Sequence, residues 1–361
     1  MRDQIQERAK NILLENGFHG IILSLAPRTG KTKPCLEAFK TSAITSKILI
    51  TAPFNSILES WKSEILKWGA SHLDIKLINQ RSLEKEDLKS YDIICCDEVH
   101  TLSQNQINQL RFLPKAIKLF GVTGSLSLET AIVLKTELKL TSVLNYTIEN
   151  AINDNIISDY RINIYECYLD DVERNVLSGT KYKTFYTTEL KHYLYLTQQF
   201  NKFKELQQDR IKMFYAGQRA RFIYSCKTKL NLAKKLIDKQ SRVLVFTNLV
   251  KVANLLTKDS FTSKEKTDIK LEKFIKGDID KLTVINMASM GITVPNLKHI
   301  VCHQLQSSEE LAIQKLLRAM NFELGEMAEI DIVVIKNTED EKWLNKALLS
   351  FNRDKIAYRS L

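Results

Sequence analysis

The chain has 361 residues, of which 44% are hydrophobic and 26% are charged, and its net charge is +11. This composition is that of a globular protein and excludes a disordered chain, and the length leaves room for two domains. No apolar run reaches the ~20 residues of a membrane helix, and the N-terminus lacks a signal-peptide pattern, so we expect a soluble intracellular protein without membrane partners. The positive surplus favours polyanionic partners. The six cysteines show no metal-ligand spacing, as expected of reduced core residues.

Residues 1–160 alternate helical and strand patterns, which predicts a parallel sheet covered by helices on both faces. The predicted strands are Ile21–Leu25, Lys47–Thr51, Ile75–Ile78, Ile93–Cys96 and Ala116–Thr123. The predicted helices are Gln4–Asn16, Lys33–Ser42, Ile57–Trp68 and Asn105–Phe112.

Residues 171–240 lack strand alternation and contain few turn formers, which predicts two or three helices. Strands and helices then alternate again. The predicted strands are Arg242–Thr247, Leu282–Asn286, His299–His303 and Ile330–Ile335. The predicted helices are Leu249–Leu256, Asp268–Lys276, Glu309–Met320 and Glu339–Phe351.

A phosphate-binding loop is predicted at Ala26-Pro-Arg-Thr-Gly-Lys-Thr32, directly after the first strand. The backbone N–H groups of such a loop cradle phosphates, its lysine reaches the β- and γ-phosphates, and its final hydroxyl ligates Mg²⁺. We therefore expect ATP and Mg²⁺ as cofactors. The candidate nucleotide-binding residues of the loop are Arg28, Thr29, Gly30, Lys31 and Thr32.

A second motif, Asp97-Glu98-Val99-His100, ends another apolar strand. In this interpretation Asp97 holds Mg²⁺ through water, and Glu98 polarises the water that attacks the γ-phosphate. The alternative is that both motifs are incidental sequences after buried strands. Their pairing at a spacing typical of one α/β domain favours the functional interpretation.

These motifs resemble those of superfamily 2 helicases and translocases of the DExH type, especially the phage UvsW-like, Swi/Snf-like and restriction-type branch. The resemblance covers nearly the whole chain. It implies two RecA-like α/β domains, residues 1–160 and 161–361, with a helical insertion at about 171–240. It also implies an ATP hydrolase that works as a DNA helicase or translocase in replication, recombination or repair. The expected location is the cytoplasm of a bacterial cell or a phage-infected host.

The resemblance assigns further roles in the first domain. Gln6 corresponds to the glutamine that reads adenine, with Gln4 as the nearby alternative. The segment from Thr51 through Pro53, Phe54 and Asn55 resembles motif Ia, which approaches nucleic acid, and Trp61 beyond it is expected to be a packing residue. The residues expected to couple ATP hydrolysis to motion are His100, Thr123 and Ser125.

In the second domain, Val243–Asn248 resembles motif IV, which places Thr247 and Asn248 on nucleic acid. Asn286 and Ser289 of motif V would also contact nucleic acid, and Gly291 would contact nucleotide. Gln314 and Arg318 occupy motif VI, where Arg318 would be the arginine finger. The residues that depart from the family pattern are Leu25 and Arg28 in motif I, and Leu317 and Asn321 in motif VI.

Three alternatives stay open at this stage. The chain could be an RNA helicase, a non-hydrolysing DNA-binding protein, or the ATPase subunit of a replication, repair or restriction complex in which a partner supplies cleavage. Within the insertion, basic and aromatic residues interleave at Tyr182–Tyr186 and Lys191–Tyr195, followed by Arg210, Lys212, Arg219 and Arg221. That pattern fits either strand binding or simple packing between helices.

Overall fold

A computed structural model describes residues 1–26, 28–124, 126–179, 183–262, 269–285, 294, 297–305, 327–349 and 351–360. The chain divides into two compact units, of which the first ends at Ile157 and the second starts at Ser158. None of the helices in these ranges is long and apolar enough to cross a membrane.

The first unit is built on a six-stranded parallel sheet. Its strands are β1 (Ile21–Leu25), β2 (Ile48–Ala52), β3 (Ile75–Asn79), β4 (Ile93–Asp97), β5 (Lys118–Thr123) and β6 (Thr141–Tyr146), arranged in the order β3-β2-β4-β5-β1-β6. Every residue of β1, β2 and β4 is buried, as expected when helices cover both faces of a parallel sheet.

The helices of this unit are α1 (Arg2–Glu15), α2 (Thr32–Ser42), α3 (Asn55–Lys67), α4 (Gln104–Arg111), α5 (Leu128–Leu138) and α6 (Ile148–Asn153). Short 3₁₀ turns lie at Gln80–Lys85, Leu88–Ser90 and Val99–Thr101. All elements predicted before residue 124 are present, with ends shifted by two residues or fewer. The elements α5, β6 and α6 were not predicted from the sequence.

The second unit contains a seven-stranded parallel sheet and a small antiparallel hairpin. Its strands are β7 (Asp159–Cys167), β8 (Val176–Gly179), β9 (Thr184–Thr187), β10 (Val243–Thr247), β11 (Asp259–Phe261), β12 (Lys281–Ile285), β13 (His299–Cys302), β14 (Met327–Ile335) and β15 (Ile356–Arg359). The large sheet has the order β11-β12-β10-β13-β14-β7-β15, and β8 pairs with β9. β7 and β14 pair over nine residues, and Asn163 Nδ2 donates to Asp331 Oδ1 between them at 2.9 Å.

The helices of the second unit are α7 (Glu189–Glu205), α8 (Asp209–Ser225), α9 (Lys227–Lys239), α10 (Val250–Leu256), α11 (Ile269–Lys276) and α12 (Glu339–Ala347), with a 3₁₀ turn at Arg353–Lys355. The insertion contains the three helices α7–α9, but also the hairpin β8–β9, which was not predicted. The predicted boundary after residue 160 falls inside β7. The helix predicted to reach Phe351 ends at Ala347, and the helix predicted at 309–320 lies outside the described residues.

Candidate nucleotide-binding site

The candidate site lies at the carboxyl edge of three neighbouring strands of the first unit. In the sheet β5 is flanked by β4 and β1, so the three strands end side by side. Asp97 is the last residue of β4, Thr123 is the last residue of β5, and the predicted phosphate loop follows β1. Open parallel sheets place ligands at this edge.

The phosphate loop has a backbone that restricts which residues fit. Gly30 has φ +82°, and a Cβ on it would lie 2.5 Å from Nε2 of Gln6. Arg28 also has a positive φ, of 72°. Gln6 Nε2 donates to the carbonyl of Thr29 at 2.7 Å, and the Thr29 hydroxyl donates to the carbonyl of Ala26 at 2.7 Å. Gly30 therefore allows α1 to lie directly against the loop.

Gln6 itself is buried, whereas the alternative Gln4 is exposed. Because a carbonyl can only accept, the bond to Thr29 fixes the orientation of the Gln6 amide. The other amide atom, Oε1, is buried and has no hydrogen-bond partner among the described residues. An orphaned buried acceptor beside the loop fits the exocyclic amine of a purine. Pro27 lies outside the described residues.

Lys31 is the central cation of the site. It precedes the first residue of α2, Thr32, and its Nζ forms ion pairs with Asp97, at 2.9 Å from Oδ1, and with Glu98. Burial by itself would lower the pKa of Lys31, but the Asp97 and Glu98 carboxylates raise it overall above its usual value. Lys31 is therefore fully charged, and the site holds a permanent cation where phosphate would bind.

Asp97 is held by three donors. Besides Lys31, the indole N–H of Trp61 donates to its Oδ2 at 2.8 Å, and the backbone N–H of Glu98 donates to its Oδ1 at 2.8 Å. Gln80 Nε2 donates to the Asp97 backbone carbonyl at 2.9 Å. Trp61 was expected only to pack, and Gln80 was not considered. Sequence spacing gave no signal for either bond, because these residues lie on other elements.

Glu98 occupies the left-handed region, with φ 50° and ψ 51°. Its carbonyl accepts from the Thr101 hydroxyl at 2.7 Å, and its Oε2 accepts from the backbone N–H of Gly124 at 3.2 Å. Burial works to raise the pKa of Glu98, but the charges of Lys31 and His100 outweigh burial and lower it. Glu98 is therefore an ionised carboxylate held in an unusual backbone conformation, which is common for residues in active sites.

A short hydrogen-bond chain connects the ends of β4 and β5. The Thr123 hydroxyl donates to Glu98 Oε2 at 3.3 Å, and His100 Nδ1 lies 2.6 Å from the same hydroxyl. Because the hydroxyl has one hydrogen, His100 must donate from Nδ1. The chain runs from His100 through Thr123 to Glu98, so it joins two of the three predicted coupling residues. The third, Ser125, lies outside the described residues.

The candidate nucleic-acid contacts after β2 are only partly at the surface. Thr51, which was predicted to contact nucleic acid, is fully buried in β2, so its side chain does not reach the surface. Pro53 and Phe54 are half-buried, and Asn55 is exposed at the start of α3. Asn79 Nδ2 donates to the Pro53 carbonyl at 3.2 Å and to Asn55 Oδ1 at 2.9 Å, which fixes this turn against β3.

The second unit shows a similar pattern at the end of β10. Thr247 is buried, and Gln304 Oε1 accepts from its hydroxyl at 3.3 Å and from the backbone N–H of Asn248 at 2.8 Å. The Thr247 side chain is therefore also unavailable to nucleic acid, because its strand is covered on both faces. The remaining predicted site residues lie outside the described ranges: Asn286, Ser289, Gly291, Gln314 and Arg318.

One family model matches part of the chain. Residues 228–323 match the helicase conserved C-terminal domain, a segment that includes the positions predicted for motifs V and VI. No curated protein matches the chain.

Solved structures show the same fold over nearly the whole chain. Dbp5 of S. cerevisiae bound to RNA and ADP BeF3 has a TM-score of 0.59 and 14% identity, covering 99% of this chain and 89% of Dbp5. The ATP-dependent Type ISP restriction-modification enzyme LlaBIII bound to DNA has a TM-score of 0.59 and 12% identity, covering 100% of this chain but 31% of the enzyme. The Hef helicase domain of Pyrococcus furiosus has a TM-score of 0.52 and 13% identity, covering 96% of this chain and 97% of that domain.

The predicted fold class, with two RecA-like α/β domains, is thus confirmed. At such low identity these likenesses show the fold alone. Together with the helicase C-terminal match, the fold supports a superfamily 2 helicase, without selecting a branch.

Proposed function

We propose that the chain is an ATP-dependent nucleic-acid motor that acts on DNA, as a helicase or translocase in replication, recombination or repair. The observation that carries this proposal is the position of Lys31. A charged lysine follows a loop with positive φ angles and meets two carboxylates at the end of three adjacent strands. ATP phosphates would replace those carboxylates as partners of the lysine.

The residues present fit MgATP. Thr32 offers a hydroxyl at the start of α2 and Asp97 a carboxylate, and Mg²⁺ prefers oxygen ligands of this kind alongside phosphate oxygens. When bound, the metal would supply positive charge that stabilises the phosphate groups. Lys31 would add positive charge there. The Gln6 Oε1 acceptor would bind the adenine amine.

Glu98 would orient the attacking water. Its lowered pKa keeps it ionised, and binding of phosphate by Lys31 would release one of its oxygens from the ion pair. Thr123 and Gly124 would continue to hold the other oxygen. Glu98 would thus be oriented from the end of β5 while its free oxygen accepts a hydrogen bond from water.

Helix α3 would link the ATP site to nucleic acid. The helix starts at Asn55, in the turn proposed to touch nucleic acid, and its Trp61 donates to Asp97. A shift of α3 would therefore move a donor of the candidate metal carboxylate. The hydrogen-bond chain of His100, Thr123 and Glu98 would provide a second connection, from the end of β5.

The second unit would contribute through motif VI. There we assign Gln314 and Arg318 the roles that the helicase resemblance implies, with Arg318 stabilising charge on the transferred phosphoryl group. Asn286, Ser289 and Asn248 would contact nucleic acid, and Gly291 would contact nucleotide. Asn321, where the family pattern has a second arginine, would make hydrolysis slower than in helicases with both arginines.

RNA is the second candidate track. The likeness to Dbp5 bound to RNA supports it, whereas the likeness to LlaBIII bound to DNA and the resemblance of motif Ia support DNA. A protein partner from a replication, repair or restriction complex would be needed if the isolated chain is inactive on every polymer.

Steady-state ATP hydrolysis tests the proposal, with the chain alone and with single-stranded DNA, duplex DNA, branched DNA and RNA. We expect one DNA form to stimulate hydrolysis most, and Lys31→Ala and Glu98→Gln each to reduce the rate about 100-fold or more. Stimulation by RNA alone would replace DNA with RNA as the track. Tight polymer binding without hydrolysis, with or without partners, would overturn the motor and leave a non-hydrolysing binding protein.

A further inference from the structure

Helices α7 and α8 form a long antiparallel pair, which we call the arm (residues 189–225). Each helix has 17 residues and is therefore about 25 Å long. Two ring contacts join the helices. The ring centroids of His192 and Phe222 are 4.8 Å apart, and the rings of Phe203 and Tyr215 are stacked with centroids 5.6 Å apart. The arm thus has its own internal packing along its length.

Only the base of the arm is buried in the second unit. Tyr193, Ile223 and Tyr224 belong to a core cluster with Leu169 and Ile335. The buried Arg219 is paired with Glu339 at 3.5 Å, and its guanidinium lies over the ring of Phe200 at 4.5 Å. For Tyr193 and Arg219 the packing interpretation is therefore the correct one.

Beyond its base the arm is open to solvent. No residue from 197 to 218 is buried by the described part of the chain. Large apolar side chains are exposed there, among them Leu206 at 53%, Met213 at 64% and Phe214 at 57%. Exposed apolar side chains that lie together are typical of a binding surface.

Cations accompany these apolar residues in a regular pattern. On α7, Lys191, Tyr195, Gln198 and Lys202 follow the spacing i, i+4, i+7, i+11 and share one face, and all are exposed. On α8 the same spacing gives Arg210, Phe214, Gly217 and Arg221, of which Gly217 is half-buried and the others are exposed. Each helix thus carries an exposed aromatic residue between two exposed cations. By helix geometry the two cations of each helix are about 16 Å apart.

The exposed faces of α7 and α8 lie close to each other. Burial raises the pKa of Tyr215 on α8, and the nearby Tyr195 hydroxyl on α7 raises it further. Tyr215 in turn packs edge-on against Phe214. Across the arm five Lys and Arg residues are exposed but only two carboxylates, Glu205 and Asp209. The surface is therefore basic as well as aromatic.

The basic and aromatic surface of the arm favours nucleic acid over a protein as its partner. Protein interfaces are depleted of lysine and concentrate apolar residues at their centre, whereas on the arm a cation lies within about one helical turn of Tyr195 and of Phe214. Surfaces that bind single-stranded nucleic acid combine rings that stack on bases with cations that follow phosphates. A duplex would satisfy the cations but would offer no unstacked base to Tyr195 or Phe214.

We propose that the arm is a second binding surface for single-stranded nucleic acid, in addition to the motif contacts. This inference rests on the proposed function for the identity of the polymer, but it does not require ATP hydrolysis. Tyr195 and Phe214 would stack on bases, and Lys191, Lys202, Arg210 and Arg221 would contact phosphates.

Fluorescence anisotropy with a labelled oligo-dT 20-mer and a matched duplex, without nucleotide, tests the inference. We expect Tyr195→Ala/Phe214→Ala to weaken oligo-dT binding about tenfold or more and duplex binding less than about twofold. The matched control is Phe112→Ala/Tyr358→Ala, which removes a phenylalanine and a tyrosine exposed at 80% and 60% elsewhere. We expect the control to bind like the parent chain.

A charge variant provides an independent readout. Lys202→Glu/Arg210→Glu should reduce the slope of log affinity against log salt by about 1.4, because each phosphate contact on a single strand contributes about 0.7. Lys234→Glu/Lys235→Glu, two exposed lysines on α9, is the control. Because all these residues are exposed, the variants should keep the parent's melting temperature.

Oligo-dT affinity of the aromatic variant within twofold of the parent would overturn the inference and favour a protein partner for the arm. Equal losses on oligo-dT and duplex would also overturn it, as would a parent chain that does not bind oligo-dT. The proposed function fails separately, if no polymer stimulates ATP hydrolysis by the parent chain.

Discussion

Replacing Trp61 by phenylalanine tests whether α3 positions the candidate Mg²⁺ carboxylate. The indole N–H of Trp61 donates to Asp97 Oδ2 at 2.8 Å, and each residue is 1% exposed. A hydrogen bond to a charged group contributes about 1.5–3 kcal/mol, and phenylalanine keeps most of the apolar contact while removing the donor. If that energy positions Asp97 for hydrolysis, kcat should fall about 10- to 100-fold, at about 1.4 kcal/mol per tenfold.

The assay is ATP hydrolysis at saturating polymer, repeated over a range of Mg²⁺ concentrations. Trp61→Phe should lower kcat and raise the Mg²⁺ concentration needed for half-maximal rate. Trp68→Phe is the matched control, because Trp68 is half-buried and donates to Glu64 rather than to Asp97. A Trp61→Phe variant that unfolds at lower urea but keeps kcat and its Mg²⁺ dependence would refute the positioning role, leaving packing alone.

Three further predictions concern the loop and the buried groups. Gly30→Ala should weaken binding of a fluorescent ADP analogue about tenfold or more, because the new Cβ would lie 2.5 Å from Gln6 Nε2 and the backbone φ is +82°. Unchanged affinity for the analogue would contradict this role of Gly30. Lys229→Met should lower the free energy of unfolding, measured in urea, by about 3–5 kcal/mol, because it leaves the buried Asp340 without its ion-pair partner. Lys227→Met, at an exposed ion pair, should lower it by less than about 1 kcal/mol, and equal losses would be evidence against the buried pair. Burial lowers the pKa of His303 to about 3, so the unfolded chain takes up a proton first as pH falls below about 6.5, and the native state should lose about 2 kcal/mol between pH 6.5 and 5. His303→Gln should remove that loss in urea titrations at the two pH values, and an unchanged pH dependence would show that His303 is not its source.

The parts of the site that lie on one continuous segment were predictable from the sequence. An apolar strand followed by Gly30, Lys31 and Thr32 predicts the loop and its position after β1, because the strand period and the glycine conformation are local properties. The same holds for Asp97 and Glu98 at the end of β4.

What the sequence could not supply are the contacts between segments. The bond from Trp61 to Asp97 joins residues 36 positions apart, and the aromatic character of Trp61 suggested packing alone. Thr51 and Thr247 were assigned to nucleic-acid contact from motif order, but the side chain of each is buried because its strand lies inside a sheet covered on both faces. Strand β7 was not predicted, because its place in the second sheet depends on pairing with β14, more than 150 residues further along the chain.

In a motor, the binding of nucleotide and the binding of nucleic acid are coupled through one chain. The most direct measurement is the affinity of the chain for its preferred polymer in three states: without nucleotide, with a non-hydrolysable ATP analogue and with ADP. Coupling energies of about 1–3 kcal/mol are typical, so we predict an affinity difference of about fivefold or more between the ATP-analogue and ADP states, abolished by Lys31→Ala. Identical affinities in all three states, with nucleotide bound, would contradict the claim that this chain is a motor.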